Sequence, residues 1–216
     1  MERNVSMEEI SDGKLYGLND MVRADCGGCK GCSACCQGMG QSVVLDPLDI
    51  HRLSLGLKEE PERILGRAAQ LHVHKGLIIP SLKMEGEEER CVFLNQEGRC
   101  QVHSFRPGFC RMFPLGRFYE EGGFQYFLQV HECPMEPKTK VKVRKWIDTP
   151  DLKRYEQFVI HWHDFQKKVQ ESLKSQEQAK EVNLYVLREF YLKPYEEGRF
   201  YEEFEERIRG AWEKMG

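Results

Sequence analysis

Five of the nine cysteines in this 216-residue chain fall inside one short run, Cys26-Gly-Gly-Cys29-Lys-Gly-Cys32-Ser-Ala-Cys35-Cys36. Cys26, Cys29, Cys32 and Cys35 recur at every third position. Two residues between thiols make a tight loop that turns both sulfurs toward one centre, and zinc sites and iron–sulfur clusters both use such loops. Cys29-x2-Cys32-x2-Cys35 together with the remote Cys133-Pro134 has the ligand pattern of ferredoxin-type clusters, where a distant cysteine before proline supplies the fourth thiolate. Pro134 removes a backbone donor and fixes the turn after that ligand. The pattern predicts a [4Fe–4S] cluster as the cofactor. Zinc is the alternative, because four thiolates also satisfy a tetrahedral ion.

The other thiols extend the donor set. Cys35 and Cys36 are adjacent, and neighbouring side chains diverge in strands and helices alike. They are expected to serve different centres unless the backbone is irregular. Cys91-Val-Phe-Leu94 and Arg99-Cys-Gln-Val-His103 flank Asn95-Gln-Glu-Gly98 and read as a hairpin. A four-residue loop sets Phe93 opposite Cys100 and makes Cys91 and Cys100 diagonal neighbours about 7–8 Å apart, too far for a disulfide but suited to gripping one metal. Cys110 stands in Arg106-Pro-Gly-Phe-Cys-Arg111, where a guanidinium on either side offsets thiolate charge or simply caps carbonyls. His103 and His131 flank Cys100 and Cys133 and are read as supporting residues. His72 and His74 belong to a strand, and His161 and His163 to a helix.

Elements that must position these thiols follow from the pattern around them. Asp46-Pro47-Leu48-Asp49 starts a helix, with Asp46 as cap and Leu48, Ile50, Leu53 and Leu57 as its apolar stripe. Glu60-Pro61-Glu62 starts a second, with Ile64, Leu65 and Ala68. Leu71–His74 and Leu77–Ile79 around Lys75-Gly76 read as one hairpin, and Arg117–Tyr119 and Phe124–Val130 around Glu120–Gly123 as another. The Glu85–Arg90 stretch is a charged loop. After Cys133 there are no more cysteines and the period becomes helical. Leu152, Tyr155, Phe158, Val159, Trp162, Phe165, Val169 and Leu173 line one face, Val182 to Phe190 a second helix, and Phe200 to Trp212 a third, with Pro194 and Gly198 between. These faces predict packing against the cysteine-rich part. The fold class expected is α+β, a cysteine-cluster metal-binding domain over residues 1–145 of short antiparallel hairpins and short helices, with a helical extension over 146–216.

Bulk properties narrow the setting. A net charge of −3 gives no basic excess for nucleic acid or an anionic membrane. No apolar run suggests a signal peptide or a membrane span, so a cytoplasmic protein with reduced thiols is expected, and the odd cysteine count argues against a complete disulfide framework.

The combined motifs resemble the YkgJ-type cysteine-cluster family, the CxxCxxCC zinc- or iron-chelating domain. Its signature is matched by Cys29-x2-Cys32-x2-Cys35-Cys36, and its second block by Cys91-Val-Phe-Leu94, Gly98-Arg-Cys100 and Arg106-Pro-Gly-Phe-Cys-Arg-Met-Phe-Pro114. Asp46–Ile50 is similar to its helix after the first cysteine block. The resemblance spans roughly residues 24–135. It implies a metal or iron–sulfur site built from Cys29, Cys32, Cys35, Cys36, Cys91, Cys100, Cys110 and Cys133, with Cys26 outside the common pattern. Most members have no assigned activity. A similar segment in flagellin lysine N-methylases implies a protein-modifying enzyme as an alternative, although no glycine-rich S-adenosylmethionine loop is present. A structural zinc module whose helical tail docks on a protein partner is the remaining reading, and a protein partner of unknown identity is expected with the iron–sulfur reading too.

Overall fold

The computed structural model describes residues 6–27 and 32–215. The chain is α+β, with short antiparallel strand pairs in the first two thirds and helices in the last third. In order it forms α1 (Met7–Ile10), β1 (Met21–Asp25), a 3-10 turn (Ala34–Cys36), α2 (Pro47–Leu57), α3 (Pro61–Ala68), β2 (Ala69–His74), β3 (Leu77–Leu82), β4 (Met84–Glu85) and β5 (Arg90–Cys91). There follow α4 (Gly108–Met112), β6 (Leu115–Glu120), β7 (Gly123–Leu128), β8 (Thr139–Lys142), α5 (Val143–Ile147), α6 (Leu152–Ser172), α7 (Gln176–Val186), a π-helical turn (Leu187–Leu192) and α8 (Phe200–Met215).

Each strand pair stands by itself: β2 with β3, β4 with β5, β6 with β7, and β1 with β8. The first and third predicted hairpins form as expected. Lys75 and Gly76 both adopt positive φ, 49° and 81°, the two-residue turn that a right-twisted hairpin requires. The β1–β8 pair joins residues far apart in sequence, with Val22 opposite Val141 and Asp25 opposite Thr139.

The hairpin expected around Asn95–Gly98 differs in register. Leu94, not Phe93, bridges Cys100. Asn95 takes both ends of the turn: its N–H donates to Arg99 O at 2.9 Å, and its Oδ1 accepts from Arg99 N at 2.7 Å. That clamp closes the loop one residue tighter, and a one-residue slip reverses the faces. Phe93 therefore turns into the core at 2% exposure, and Cys91 pairs with Met84 on β4.

Asp46 caps α2 as expected, in a reciprocal box. Asp46 Oδ1 accepts from Asp49 N at 2.8 Å, and Asp49 Oδ2 from Asp46 N at 3.1 Å. Pro47 fills the first turn, where its missing N–H costs nothing.

The helical third packs on the rest through one core. Leu45, Leu48, Ile50, Leu53, Ile64, Leu77 and Leu82 join Tyr155, Phe158, Trp162, Phe165, Phe190 and Phe204 in a single buried cluster. Aromatic rings of this size stabilise by about 1.5–3 kcal/mol each when fully buried. Polar ties cross the same seam. Asn183 Oδ1 accepts from Ile78 N at 2.6 Å and its Nδ2 donates to Gly76 O at 2.8 Å, while Tyr191 OH donates to Leu45 O at 3.1 Å. Among the described residues, no helix is long and apolar enough to cross a membrane.

Candidate metal centre

Among the described residues, three stretches of chain bring six thiols to one cavity. The 3-10 turn and the residues before it supply Cys32, Cys35 and Cys36. Cys91 and Cys100 come from β5 and the loop after it, and Cys110 from α4. The cavity holds about 260 Å³ and is walled by Val43, Leu82, Phe93, Val102, Phe113 and Trp146. Cys35 and Cys36 share it, contrary to the expectation that adjacent cysteines separate. The 3-10 turn entered from Ser33 at φ −131°, ψ 13° is neither strand nor α-helix and sends both sulfurs inward, where they hydrogen-bond each other.

The thiols' acidity reflects that crowding. The hydrogen bond to Cys36, then burial, pushes the Cys35 thiol far up. Burial pushes Cys91 up to about 11, with the sulfurs of Cys100 and Cys35 adding to it. Burial raises Cys100 and Cys110 as well. In the absence of a cation these sulfurs keep their protons, because several thiolates facing one cavity would repel each other. A metal supplies the missing positive charge.

The two arginines around Cys110 divide the roles foreseen for them. Arg106 lines the cavity beside His103, with which it makes a close side-chain contact. Its buried Nε has no protein partner. Arg111 instead caps carbonyls, donating from Nη1 to Asp148 O and from Nη2 to Ser104 O, both at 2.9 Å. His103 lines the cavity. Exposed His131 does not, and neither do His72, His74, His161 or His163.

The remaining predicted ligands sit elsewhere. Cys133 is not part of the lining; its thiol is hydrogen-bonded to that of Cys26. Cys29 lies outside the described residues. Sequence reasoning missed the scaffold behind the thiols. Asp49 Oδ1 accepts from Gly108 N at 2.7 Å and so fixes the start of α4, two residues ahead of Cys110. Trp146 Nε1 donates to the carbonyls of Met112 and Phe113 at 3.2 and 3.1 Å, seating the indole that closes the wall. Gly108 was the one sequence signal for this scaffold, since an added Cβ there would come within 2.5 Å of the Tyr155 hydroxyl oxygen.

The donor set fits a soft metal. All six donors are sulfur, which selects zinc, copper(I) or iron–sulfur chemistry over oxygen-loving ions. Among the described residues no three Cys, His, Asp or Glu side chains stand at the spacing that holds one ion, so the sulfurs surround a void rather than a point. A water occupies roughly 30 Å³ of liquid, and the void is several times that.

Residues 28–142 match the sequence model of the CxxCxxCC family, a zinc- or iron-chelating domain. The chain belongs to this family. The matched span takes in Cys32, Cys35, Cys36, Cys91, Cys100 and Cys110, so all six thiols come from the CxxCxxCC domain, and Trp146 closes the cavity from just beyond it. No solved structure matches the chain.

Proposed function

We propose that this CxxCxxCC protein holds an iron–sulfur cluster and serves a redox or accessory role to a partner enzyme in the cytoplasm. The observation that carries this reading is the convergence of six thiols on one 260 Å³ cavity. A tetrahedral zinc needs four ligands held around a point. Six sulfurs around a larger void exceed what one tetrahedral ion takes, and four of them would satisfy an iron–sulfur cluster. Cys32, Cys35, Cys36, Cys91, Cys100 and Cys110, with Cys29 of the same repeat, are the candidate ligands, of which a [4Fe–4S] cluster would take four. When bound, the cluster supplies one-electron transfer. The protein's own groups set its surroundings: apolar Phe93, Phe113 and Trp146 limit water, and the Arg106 guanidinium, which lines the cavity, offsets the anionic charge of the thiolates.

The test is anaerobic purification of the full chain with iron supplied, followed by iron, sulfide and zinc analysis and a visible spectrum in both redox states. Brown protein with iron and acid-labile sulfide, bleaching on reduction, supports the cluster. Stoichiometric zinc without iron sinks it and leaves a structural zinc domain.

A further inference from the structure

The described thiols of this chain fall into two groups. Six surround the cavity, and several of these act on one another: Cys91 feels Cys100 and Cys35, and Cys110 feels Cys91, Cys35 and Cys100. Cys133 has a different neighbour. Its thiol is hydrogen-bonded to Cys26, and neither residue lines the cavity.

Strand pairing explains why these two meet. Asp25, the last residue of β1, lies opposite Thr139, the first of β8, in antiparallel pairing. The chain leaving β1 therefore runs back past the segment that leads into β8. Asp25 Oδ1 accepts from Gly27 N at 2.9 Å, and Gly27 takes a left-handed φ of 76°. That tight turn holds Cys26 against the Cys133 segment. On the other side the Met135 backbone N–H donates to the Cys133 sulfur, and the Lys138 ammonium lies near it. The pair is thus held from both strands, and both residues are partly exposed, so small reagents reach them.

We propose that Cys26 and Cys133 form a second thiol site, separate from the metal cavity, that closes reversibly into a disulfide under a low-molecular-weight disulfide oxidant. One cysteine loses its proton and attacks a sulfur of oxidised glutathione, breaking the S–S bond and releasing one glutathione thiolate, which takes up that proton. The second cysteine, deprotonated in turn, attacks the mixed disulfide at the protein sulfur and expels the second glutathione. The two protein thiols lose two electrons and two protons in all, and the oxidant becomes two reduced glutathiones. The bond would staple the end of β1 to the approach to β8. Cys26 thereby gains a role that its place outside the CxxCxxCC pattern does not supply.

The experiment uses the full chain as purified, with its metal, titrated with oxidised glutathione, then alkylated under denaturing conditions and mapped by mass spectrometry. The expected result is loss of two alkylatable thiols, a Cys26–Cys133 cross-linked peptide reversed by reduced glutathione, and unchanged metal content. Cys26→Ser and Cys133→Ser should each abolish the cross-link, leave a glutathione adduct on the remaining partner and keep the metal. Two results overturn the proposal. One is separate glutathione adducts on both residues of the unsubstituted protein with no cross-link. The other is loss of metal in Cys133→Ser to the level of Cys100→Ser, with Cys133 shielded from reagents, which would make it a metal ligand. Neither depends on which metal the cavity holds.

Discussion

Gly108→Ala probes how a helix of the last third fixes a metal-site cysteine. Gly108 opens α4, and a Cβ there would lie 2.5 Å from the Tyr155 hydroxyl oxygen, 3.6 Å from Tyr155 Cζ and 3.7 Å from Asp49 Oδ1. Only the first is a clash. The hydroxyl cannot swing away, because Tyr155 is 1% exposed and accepts from Arg117 Nη2 at 2.6 Å. Overpacking of this kind costs about 1–3 kcal/mol. For a chain of this size each kcal/mol lowers Tm by about 2–4 °C, so Gly108→Ala should lose roughly 2–12 °C. Tyr155→Phe removes the clashing atom and leaves an ordinary 3.6 Å contact. By itself it forfeits the bond to Arg117, about 1.5–3 kcal/mol for a charged donor. The double variant should therefore cost no more than Tyr155→Phe alone, a coupling of about 1–3 kcal/mol in favour of the pair. Thermal unfolding of the four metal-loaded proteins measures this. Metal affinity should follow the same order, weakened in Gly108→Ala and recovered in the double variant, because α4 carries Cys110 two residues on. Costs that simply add, within about 0.5 kcal/mol, would refute the claim that Tyr155 sets the position of α4.

Three further outcomes are expected. Because burial holds the Cys91 thiol up to about 11 and raises Cys100 and Cys110, and the hydrogen bond to Cys36 with burial raises Cys35, metal must displace protons, and apparent affinity should climb about tenfold per pH unit for each thiol that ligates, measured by chelator competition between pH 6.5 and 8; a pH-independent affinity would contradict protonated thiols in the metal-free site. The same shifts make the metal-free fold bind more protons than the unfolded chain above the ordinary thiol range, so its stability should be level below about pH 8 and fall as pH rises toward 11, read as Tm against pH. Asn183→Ala leaves Ile78 N and Gly76 O without their partner and should lose about 2–4 kcal/mol, against almost nothing for Leu184→Ala, the 60% exposed neighbour on α7; equal Tm values for the two would show that the tie to the β2–β3 turn is immaterial.

How far the sequence reached depends on the range of the interaction that decides each element. The start of α2 was legible because its determinants, Asp46, Pro47 and Asp49, are neighbours in the chain. So was the β2–β3 turn, where Lys75-Gly76 alone fixes the geometry. The second hairpin failed at one residue, since Asn95 can clamp Arg99 with both its backbone and its side chain, and loop length alone does not say so. The β1–β8 pair was not legible at all. Met21–Asp25 and Thr139–Lys142 are short, and nothing local in either names the other, yet this pairing puts Cys133 beside Cys26. A cysteine followed by proline announces a ligand-like turn without saying which thiols it faces.

The same distinction separates the donors from what holds them. Cysteines advertise themselves, and the six that share the cavity came from motifs read directly. Their placement rests on groups that advertise nothing. An aspartate serves at once as helix cap and as acceptor for Gly108, a tyrosine on α6 bounds α4, and an indole on α5 is pinned to the carbonyls of Met112 and Phe113. Each of these reaches the site from a different element, two of them from after the last cysteine. A soft-metal cavity needs its sulfurs held in place before the metal arrives, and in this chain the restraint comes from behind. Fixing the thiols through Asp49, Tyr155 and Trp146 leaves all six sulfurs free to face the metal, and for that reason the helices that contribute no ligand are still part of the centre.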